Sequence, residues 1–97
     1  MKTEIKEINI RKVKASGGLV AVASCVICCG EFKLYLDKIG IVALRQGGYR
    51  LNFPADNFGG QRVSVFYPIN AESLEVLTEA IIGRYERMEE AYLKNLT

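Results

Sequence analysis

Hydrophobic and polar residues alternate along several short stretches of the first two thirds of the chain, which predicts β-strands. The predicted strands cover residues 5–13, 19–28, 32–36, 49–53 and 62–66. In the first strand, Ile8 and Ile10 alternate with polar neighbours, the pattern of a sheet with one solvated face. The odd spacing from Ile10 to Val13 predicts a bulge or an early bend. The second strand is apolar nearly throughout, so we expect it in the centre of the sheet.

Glycine and proline mark the ends of these strands. Turns are predicted at residues 15–18, 30–31 and 46–48. Each contains glycine, which adopts positive φ without steric cost. Gly40 interrupts the apolar run of residues 37–44, where either a bulge or a strand break would fit. Pro54 ends the fourth strand because proline cannot donate a ladder hydrogen bond, and residues 55–61 are then predicted as a polar loop.

A long amphipathic helix is predicted over residues 71–95. Pro68 stops the preceding strand, and Asn70 is a favoured N-cap because its side-chain oxygen can accept a backbone N–H of the first turn. Apolar residues recur on one face at steps of three or four: Leu74, Leu77, Ile81, Tyr85, Met88 and Tyr92. We expect the first part of this face to pack on the sheet, and residues 89–97 to extend into solvent or onto a partner.

The order of these elements predicts the fold class. Strands in succession followed by one helix, with no repeat and no linker, indicate a single α+β domain over residues 1–97. The expected architecture is an antiparallel meander of about five strands with one long C-terminal α-helix.

Charge is distributed unevenly along the chain. Residues 1–62 contain ten Lys/Arg and five Asp/Glu, giving +5, whereas residues 63–97 contain three and six, giving −3. A polyanion should therefore approach the sheet and avoid the helix. The sequence contains no histidine, which excludes histidine-based acid–base catalysis and histidine metal sites.

The three cysteines form a Cys-x-x-Cys-Cys pattern within the second predicted strand. Cys25 and Cys29 would share one face of that strand but lie about 13 Å apart, and Cys28 would face the other way. Three thiols cannot complete a four-ligand zinc site in one chain, so we expect buried, unreactive cysteines and no metal. Redox chemistry or metal binding between subunits is the alternative.

The apolar run 19–29 is much shorter than the roughly 20 residues of a membrane-spanning helix. Glu4 and Glu7 also depart from the basic region of an export signal. We therefore expect a cytoplasmic protein with no membrane partner. The carboxylates are isolated, the cysteines have no base beside them, and the glycine pairs are typical of turns. These residues provide no catalytic constellation, so no enzymatic activity, cofactor or small-molecule substrate is expected.

Basic residues are the candidate contacts to nucleic acid: Arg50, Arg62, Lys12, Lys14, Lys33 and Arg45. Arg50 and Arg62 flank the predicted loop at the ends of neighbouring predicted strands, and a guanidinium group can bind phosphate through two donors. Tyr49 and Phe58 could stack on unpaired bases. The alternative is a solvated sheet face whose charges only maintain solubility.

Several short motifs in order resemble the stage V sporulation protein G family of bacterial septation proteins. They are Ile8-Asn9-Ile10-Arg11-Lys12-Val13, Leu19-Val20-Ala21-Val22-Ala23-Ser24, Glu31-Phe32, Leu51-Asn52-Phe53-Pro54, and Tyr67-Pro68-Ile69-Asn70 before a helix containing Tyr85. The resemblance implies a curled antiparallel sheet with a C-terminal helix, assembled as a homodimer by sheet-edge pairing. It also implies a non-enzymatic cytoplasmic regulator of septation and sporulation that binds DNA or RNA.

The chain departs from this family after Pro54. Family members usually carry adjacent basic residues there, whereas this chain has residues 55–61 with Asp56 and no base. Fewer phosphate contacts should weaken nucleic-acid binding and its salt dependence. The alternative function is a protein-interaction module, with the first strand and residues 62–66 as candidate edges for strand addition.

Overall fold

The structure is a computed structural model that describes residues 3–96, and these form six strands followed by one helix. The elements are β1 (Thr3–Ser16), β2 (Leu19–Cys29), β3 (Phe32–Ala43), β4 (Tyr49–Asn52), β5 (Ala55–Phe58), β6 (Gln61–Ser64) and α1 (Ala71–Leu96). Strands β1 to β4 form one antiparallel sheet in sequence order, and β5 pairs with β6 in a separate hairpin. The predicted α+β class, with an antiparallel meander and a C-terminal helix, is confirmed. Thr97, at the end of the predicted extension 89–97, lies outside the described residues.

Strand β2 lies between β1 and β3, as its apolar sequence predicts. Ala21 is opposite Ile41 and Ala23 is opposite Ile39 in the antiparallel ladder. Opposed residues share a face of a sheet, and all four side chains are buried in the core beneath α1. The small alanines leave room on this face for larger side chains from β3 and the helix.

The register of the main sheet shifts at four places, two between β1 and β2 and two between β2 and β3. In β1 the register shifts between Lys6 and Asn9 and again between Lys12 and Ser16. The second shift includes Val13, so the predicted irregularity there is confirmed. Both shifts lie in an edge strand, where bulges are common and bend the strand.

Of the two shifts between β2 and β3, one lies between Leu19 and Ala21, and the other is a bulge in β3 at Asp37 and Lys38. Lys38 has a φ of 62°, and its backbone N–H donates a hydrogen bond of 2.7 Å to Oδ1 of Asp37. The register with β2 shifts at this point, between the pairs Ala23–Ile39 and Cys25–Leu36. Strand β3 continues through Gly40 to Ala43, so the predicted bulge exists but lies before the glycine.

The prediction of a loop over residues 55–61 is wrong. These residues form β5 and the turn of a hairpin in which Phe58 pairs with Gln61 across Gly59 and Gly60. The two glycines have φ values of 55° and 80°, and two successive positive φ angles favour a tight hairpin turn. Aspartate and asparagine are rare in strands, which concealed β5 in the sequence.

The last predicted strand also differs from the structure. Strand β6 ends at Ser64, two residues before the predicted end at residue 66, and it pairs with β5 only. The backbone N–H of Val65 donates a 2.9 Å hydrogen bond to the carbonyl of Pro54. This bond closes the base of the hairpin, so β6 lies outside the main sheet rather than beside β4.

Helix α1 covers one face of the main sheet. Its buried residues are Leu77, Ile81, Ile82 and Tyr85. All but Ile82 belong to the middle of the predicted apolar face. Leu74 and Tyr92, at the two ends of that face, remain substantially exposed. The helix contacts chiefly β1 and β4, the two outer strands of the sheet. Within residues 3–96, no helix has both the length and the apolar character needed to cross a membrane.

The start of α1 provides a test of the predicted cap. Oδ1 of Asn70 accepts a 2.8 Å hydrogen bond from the backbone N–H of Ser73. Replacing the cap in Asn70→Ala should lower the free energy of unfolding by about 1 kcal/mol, whereas Asn70→Ser should preserve most of it because serine also caps well. Urea denaturation followed by far-ultraviolet circular dichroism measures both variants, and equal midpoints for the two would contradict the capping role.

Candidate nucleic-acid interface

The face of the main sheet opposite α1 carries a row of residues from all four strands. Arg11 is opposite Val22, Val22 is opposite Gly40, and Gly40 is opposite Asn52. Their neighbours along the strands, such as Ala21 and Ile41, are buried beneath the helix. Because side chains alternate between faces, the row lies on the face without the helix.

A groove of about 430 Å³ lies over this row, at the junction with the β5–β6 hairpin. We call it the cationic groove; it is lined by Arg11, Leu19, Val22, Lys38, Gly40, Asn52, Phe53, Pro54, Ala55 and Arg62. The lining includes three cationic side chains and no carboxylate. Each cation comes from a different strand, namely β1, β3 and β6.

Gly40 keeps the floor of the cationic groove low. A Cβ atom at this position would lie 2.9 Å from Cδ1 of Leu19 and 3.5 Å from Cβ of Asn52. Gly40 is not among the residues with positive φ, so space rather than backbone conformation favours glycine here. A larger residue would displace Leu19 and raise the floor.

The hairpin positions Arg62 and Asp56 on opposite faces. Arg62 pairs with Asn57, whereas Asp56 pairs with Val63 in the next rung. Successive residues of a strand alternate in direction, so the Asp56 carboxylate points away from the face that carries Arg62. The acidic residue in the place where the family usually has bases therefore does not neutralise the groove.

Arg50 and Arg62, the first two predicted contacts, do not lie on neighbouring strands. Strands β4 and β6 belong to different sheets, so that part of the prediction is wrong. Arg62 lines the groove together with Arg11 and Lys38. Arg50 is opposite Val42 and shares the groove face with Asn52, two residues along β4, but it is not part of the lining.

Lys12 lies on the other face of the sheet, against the helix. It is opposite the buried Ala21, forms an ion pair with Glu89, and its Nζ lies 4.6 Å from the centre of the Tyr92 ring. The hydrogen bond from Lys12 and its positive charge lower the pKa of Glu89. Lys12 thus connects β1 to the C-terminal half of α1 and is directed away from the groove.

Three further predicted contacts are dispersed. Lys14 is exposed near the end of β1, and Arg45 is exposed in the turn between β3 and β4. Lys33 is opposite Cys28 and lines a separate depression with Lys6, Glu4 and Glu7 among others. That depression has mixed charge, so it offers less attraction for a polyanion than the cationic groove.

The aromatic residues proposed for base stacking differ in position. The Tyr49 ring packs edge-on against Tyr85, with 5.0 Å between ring centres, so it faces the helix and not the groove side. Burial, reinforced by the nearby Glu89 charge, raises the pKa of Tyr85 to about 12. Phe58 is exposed at the tip of the hairpin. Tyr35 is also exposed and is opposite Val26 on the groove face.

Sequence reasoning missed two of the three groove cations. Arg11 alternates with Ile10 in β1, so its position on the solvated face could have been found from the pattern. Lys38 gave no such signal, because the bulge at Asp37 and Lys38 changes the direction of alternation within β3. Arg62 was among the predicted contacts, but it was expected near Arg50 and instead lines the groove with Arg11 and Lys38.

The cysteines lie in β2 with free thiols. Cys25 is fully buried, as predicted, and this burial raises the pKa of its thiol. Cys28 and Cys29 are partly buried and face opposite sides of the sheet, opposite Lys33 and Phe32 respectively. Among residues 3–96, no group of three or more cysteine, aspartate or glutamate side chains is arranged to hold a metal ion.

Comparison with known proteins supports the resemblance found in the sequence. The chain is 29% identical over 87 residues to a Clostridium kluyveri protein named "Putative septation protein SpoVG". The match covers 89% of this chain and 86% of that protein, so it extends over the sheet and the helix together. No family model matches the chain. The predicted resemblance to the septation proteins is confirmed.

The contact between Lys12 and Glu89 provides a test of helix docking. Lys12→Met should raise the pKa of Glu89 towards that of an ordinary carboxyl group, because the charged donor is lost. Carbon-13 NMR titration of the glutamate carboxyl groups measures this change. Lys14→Met is the matched control, since Lys14 does not contribute to the shift at Glu89. Equal Glu89 pKa values in the two variants would contradict the assignment.

The same contact predicts a pH dependence of stability. The pKa of Glu89 is lower in the folded protein than in the unfolded chain. The Lys12–Glu89 pair therefore stabilises the fold at pH values above the unfolded pKa, and this stabilisation is lost as the pH falls through the folded pKa. Urea midpoints measured through this acidic range should therefore fall less steeply in Lys12→Met than in the native chain or in Lys14→Met.

Proposed function

We propose that the chain is a non-enzymatic regulatory protein of the septation and sporulation type that binds DNA or RNA through the cationic groove. The observation that carries the proposal is the convergence of Arg11, Lys38 and Arg62 in one groove without a carboxylate in its lining. Three cations from three strands are held close together, although like charges repel one another. A bound polyanion would relieve that repulsion.

The three groove cations also lack neutralising partners within residues 3–96. The salt bridges join Lys6 to Glu4 and Lys12 to Glu89, and neither involves a groove residue. Arginine suits phosphate because its planar guanidinium can donate two parallel hydrogen bonds. We expect Arg11 and Arg62 to contact backbone phosphates directly and Lys38 to add a point charge between the sheet and the hairpin.

Further residues on the same face extend the surface available to a nucleic acid. Lys33 and Arg50 share the groove face, on β3 and β4. The exposed rings of Tyr35 and Phe58 provide planar surfaces on which unpaired bases can stack. Phosphate contacts give affinity without sequence preference, so this surface supports binding to either DNA or RNA.

The proposed contacts predict how binding depends on salt. The double variant Arg11→Glu/Arg62→Glu should bind short nucleic acids at least about tenfold more weakly at low salt, because two phosphate contacts become repulsive. The slope of log affinity against log salt should also decrease by about 0.7 per lost contact on single strands or about 0.9 on duplexes. Fluorescence anisotropy with labelled single-stranded and duplex DNA and RNA measures both quantities.

The control is Arg84→Glu/Arg87→Glu, which makes the same change in net charge on exposed positions of α1. It should retain most of the affinity, and circular dichroism should show that both variants fold. Equal losses in the two double variants would show that net charge alone attracts nucleic acid. If the native chain does not bind any of the four nucleic acids at low salt, the proposal fails, and the protein-interaction module becomes the better reading.

A further inference from the structure

The lining of the cationic groove has an apolar part besides its three cations. This part consists of Leu19, Val22, Phe53, Pro54 and Ala55. Phosphate groups are bound by positive charge and hydrogen-bond donors, so the phosphate contacts proposed above involve only the cations. Placing a phosphate against apolar side chains would remove water from its charge without replacing the lost hydrogen bonds. The apolar part of the groove therefore fits a different part of a nucleotide.

The apolar surface lies at the centre of the groove floor. Gly40 has Val22 on one side and Asn52 on the other, in the row that crosses the sheet. Gly40 contributes no side chain, and Leu19 lies over it, with Cδ1 2.9 Å from the place where a Cβ atom would be. The floor is therefore a recess with an apolar surface. The flat face of an unpaired base can pack on such a surface.

The cations lie at the margins of this recess. Arg11 and Asn52 are at the two ends of the row, and three interstrand steps separate them by roughly 14 Å. Arg62 comes from the hairpin, which follows β4 beyond Asn52, and Lys38 lies two residues before Gly40 on β3. A strand that crosses the groove can thus place phosphates at both margins and a base between them.

We propose that the recess holds one unpaired base, so that the nucleic acid bound in the cationic groove is a single strand. The base packs on Leu19 and Val22 beside Phe53, and Arg11 and Arg62 hold the phosphates on either side of it. A duplex keeps its bases stacked and paired, and it could fill the recess only by flipping a base out of the stack at a cost in free energy. This inference rests on the proposed function and specifies its ligand.

Asn52 is placed to contact the edge of that base. Its side chain is exposed and lines the groove beside Gly40, and it makes no side-chain hydrogen bond within residues 3–96. An amide group offers both donors and an acceptor, which can bind the pairing edge of an unpaired base. In a duplex the partner base occupies that edge. Asn52 therefore favours unpaired bases over paired ones.

Three labelled ligands of equal length separate this inference from the proposed function. They are a short single strand, its duplex, and the same single strand with abasic sites throughout, each prepared as DNA and as RNA. Electrostatic attraction alone favours the duplex, which has the highest charge density. The native chain should instead bind the intact single strand at least about tenfold more tightly than the abasic strand, because base stacking is lost with the bases. It should also prefer the intact strand to the duplex.

Fluorescence anisotropy at low salt measures these affinities. An abasic strand or a duplex that binds as tightly as the intact strand would overturn the inference, although the cationic groove would remain a nucleic-acid site. A duplex preference would instead agree with insertion of the β5–β6 hairpin into a major groove. If none of the ligands binds, the inference and the proposed function both fail.

The variant Gly40→Ala tests the recess itself. The added Cβ atom displaces Leu19, so the affinity for the intact strand should fall at least about fivefold. The loss on the abasic strand should be smaller, because that strand has no base to exclude. Gly83→Ala is the matched control, since its Cβ atom would lie 3.7 Å from Nη1 of Arg87, an ordinary contact, and it should retain the native affinity. Circular dichroism shows whether both variants fold.

The variant Asn52→Ala provides a second test at an exposed position, which does not depend on the folding of Gly40→Ala. Loss of the hydrogen bonds to the base should weaken binding of the intact strand about threefold or more, with a smaller effect on the abasic strand. Asn95→Ala, on the exposed surface of α1, should bind like the native chain. Equal losses on the intact and abasic strands in Asn52→Ala would contradict a base in the recess.

Discussion

The rule that opposed side chains of an antiparallel ladder share one face governs the whole molecule. On one side it collects Ala21, Ala23, Ile39 and Ile41, which α1 buries. On the other side it aligns Arg11, Val22, Gly40 and Asn52 across all four strands of the main sheet. The apolar core and the candidate binding surface are therefore the two faces of one ladder. Burial of apolar side chains decides which face of the sheet the helix covers, and therefore which face carries the cations.

The bulge in β3 allows the apolar core and the candidate binding surface to form on the two faces of the same strand. Leu36 and Ile39 are three residues apart and would face opposite sides of a regular strand, yet both are buried. The additional residue at Asp37 and Lys38 lets both leucine and isoleucine enter the core, with Lys38 directed into the cationic groove. The positive φ of Lys38 is unfavourable for a residue with a side chain, and the hydrogen bond to Asp37 offsets part of that cost. Packing and the proposed function thus depend on the same two residues.

Helix α1 and the β5–β6 hairpin lie against opposite faces of the main sheet and have different roles. Helix α1 reaches across the sheet to its outer strands, and the contacts of Lys12 with Glu89 and Tyr92 secure its C-terminal half to β1. The hairpin approaches from the opposite face and contributes Arg62 to the groove.

The sequence by itself determined the features that depend on neighbours along the chain. Asn70 and Pro68 specify where the helix begins, glycines specify the turns, and the apolar run of β2 specifies the central strand, because each acts through local backbone geometry or simple burial. The ordered motifs by themselves also indicate the resemblance to septation proteins.

Only the tertiary structure decided which distant residues meet. Each bulge reverses the alternation of side chains beyond it, so the direction of Lys38 could not be read from residue spacing. The sequence did not predict the hairpin because its strands have low intrinsic β-propensity, although its turn contains the glycines typical of hairpins. Arg62 consequently joins Arg11 and Lys38 rather than Arg50. Faces and sheet partners depend on the register of the complete ladder, a property that no single stretch of the sequence contains.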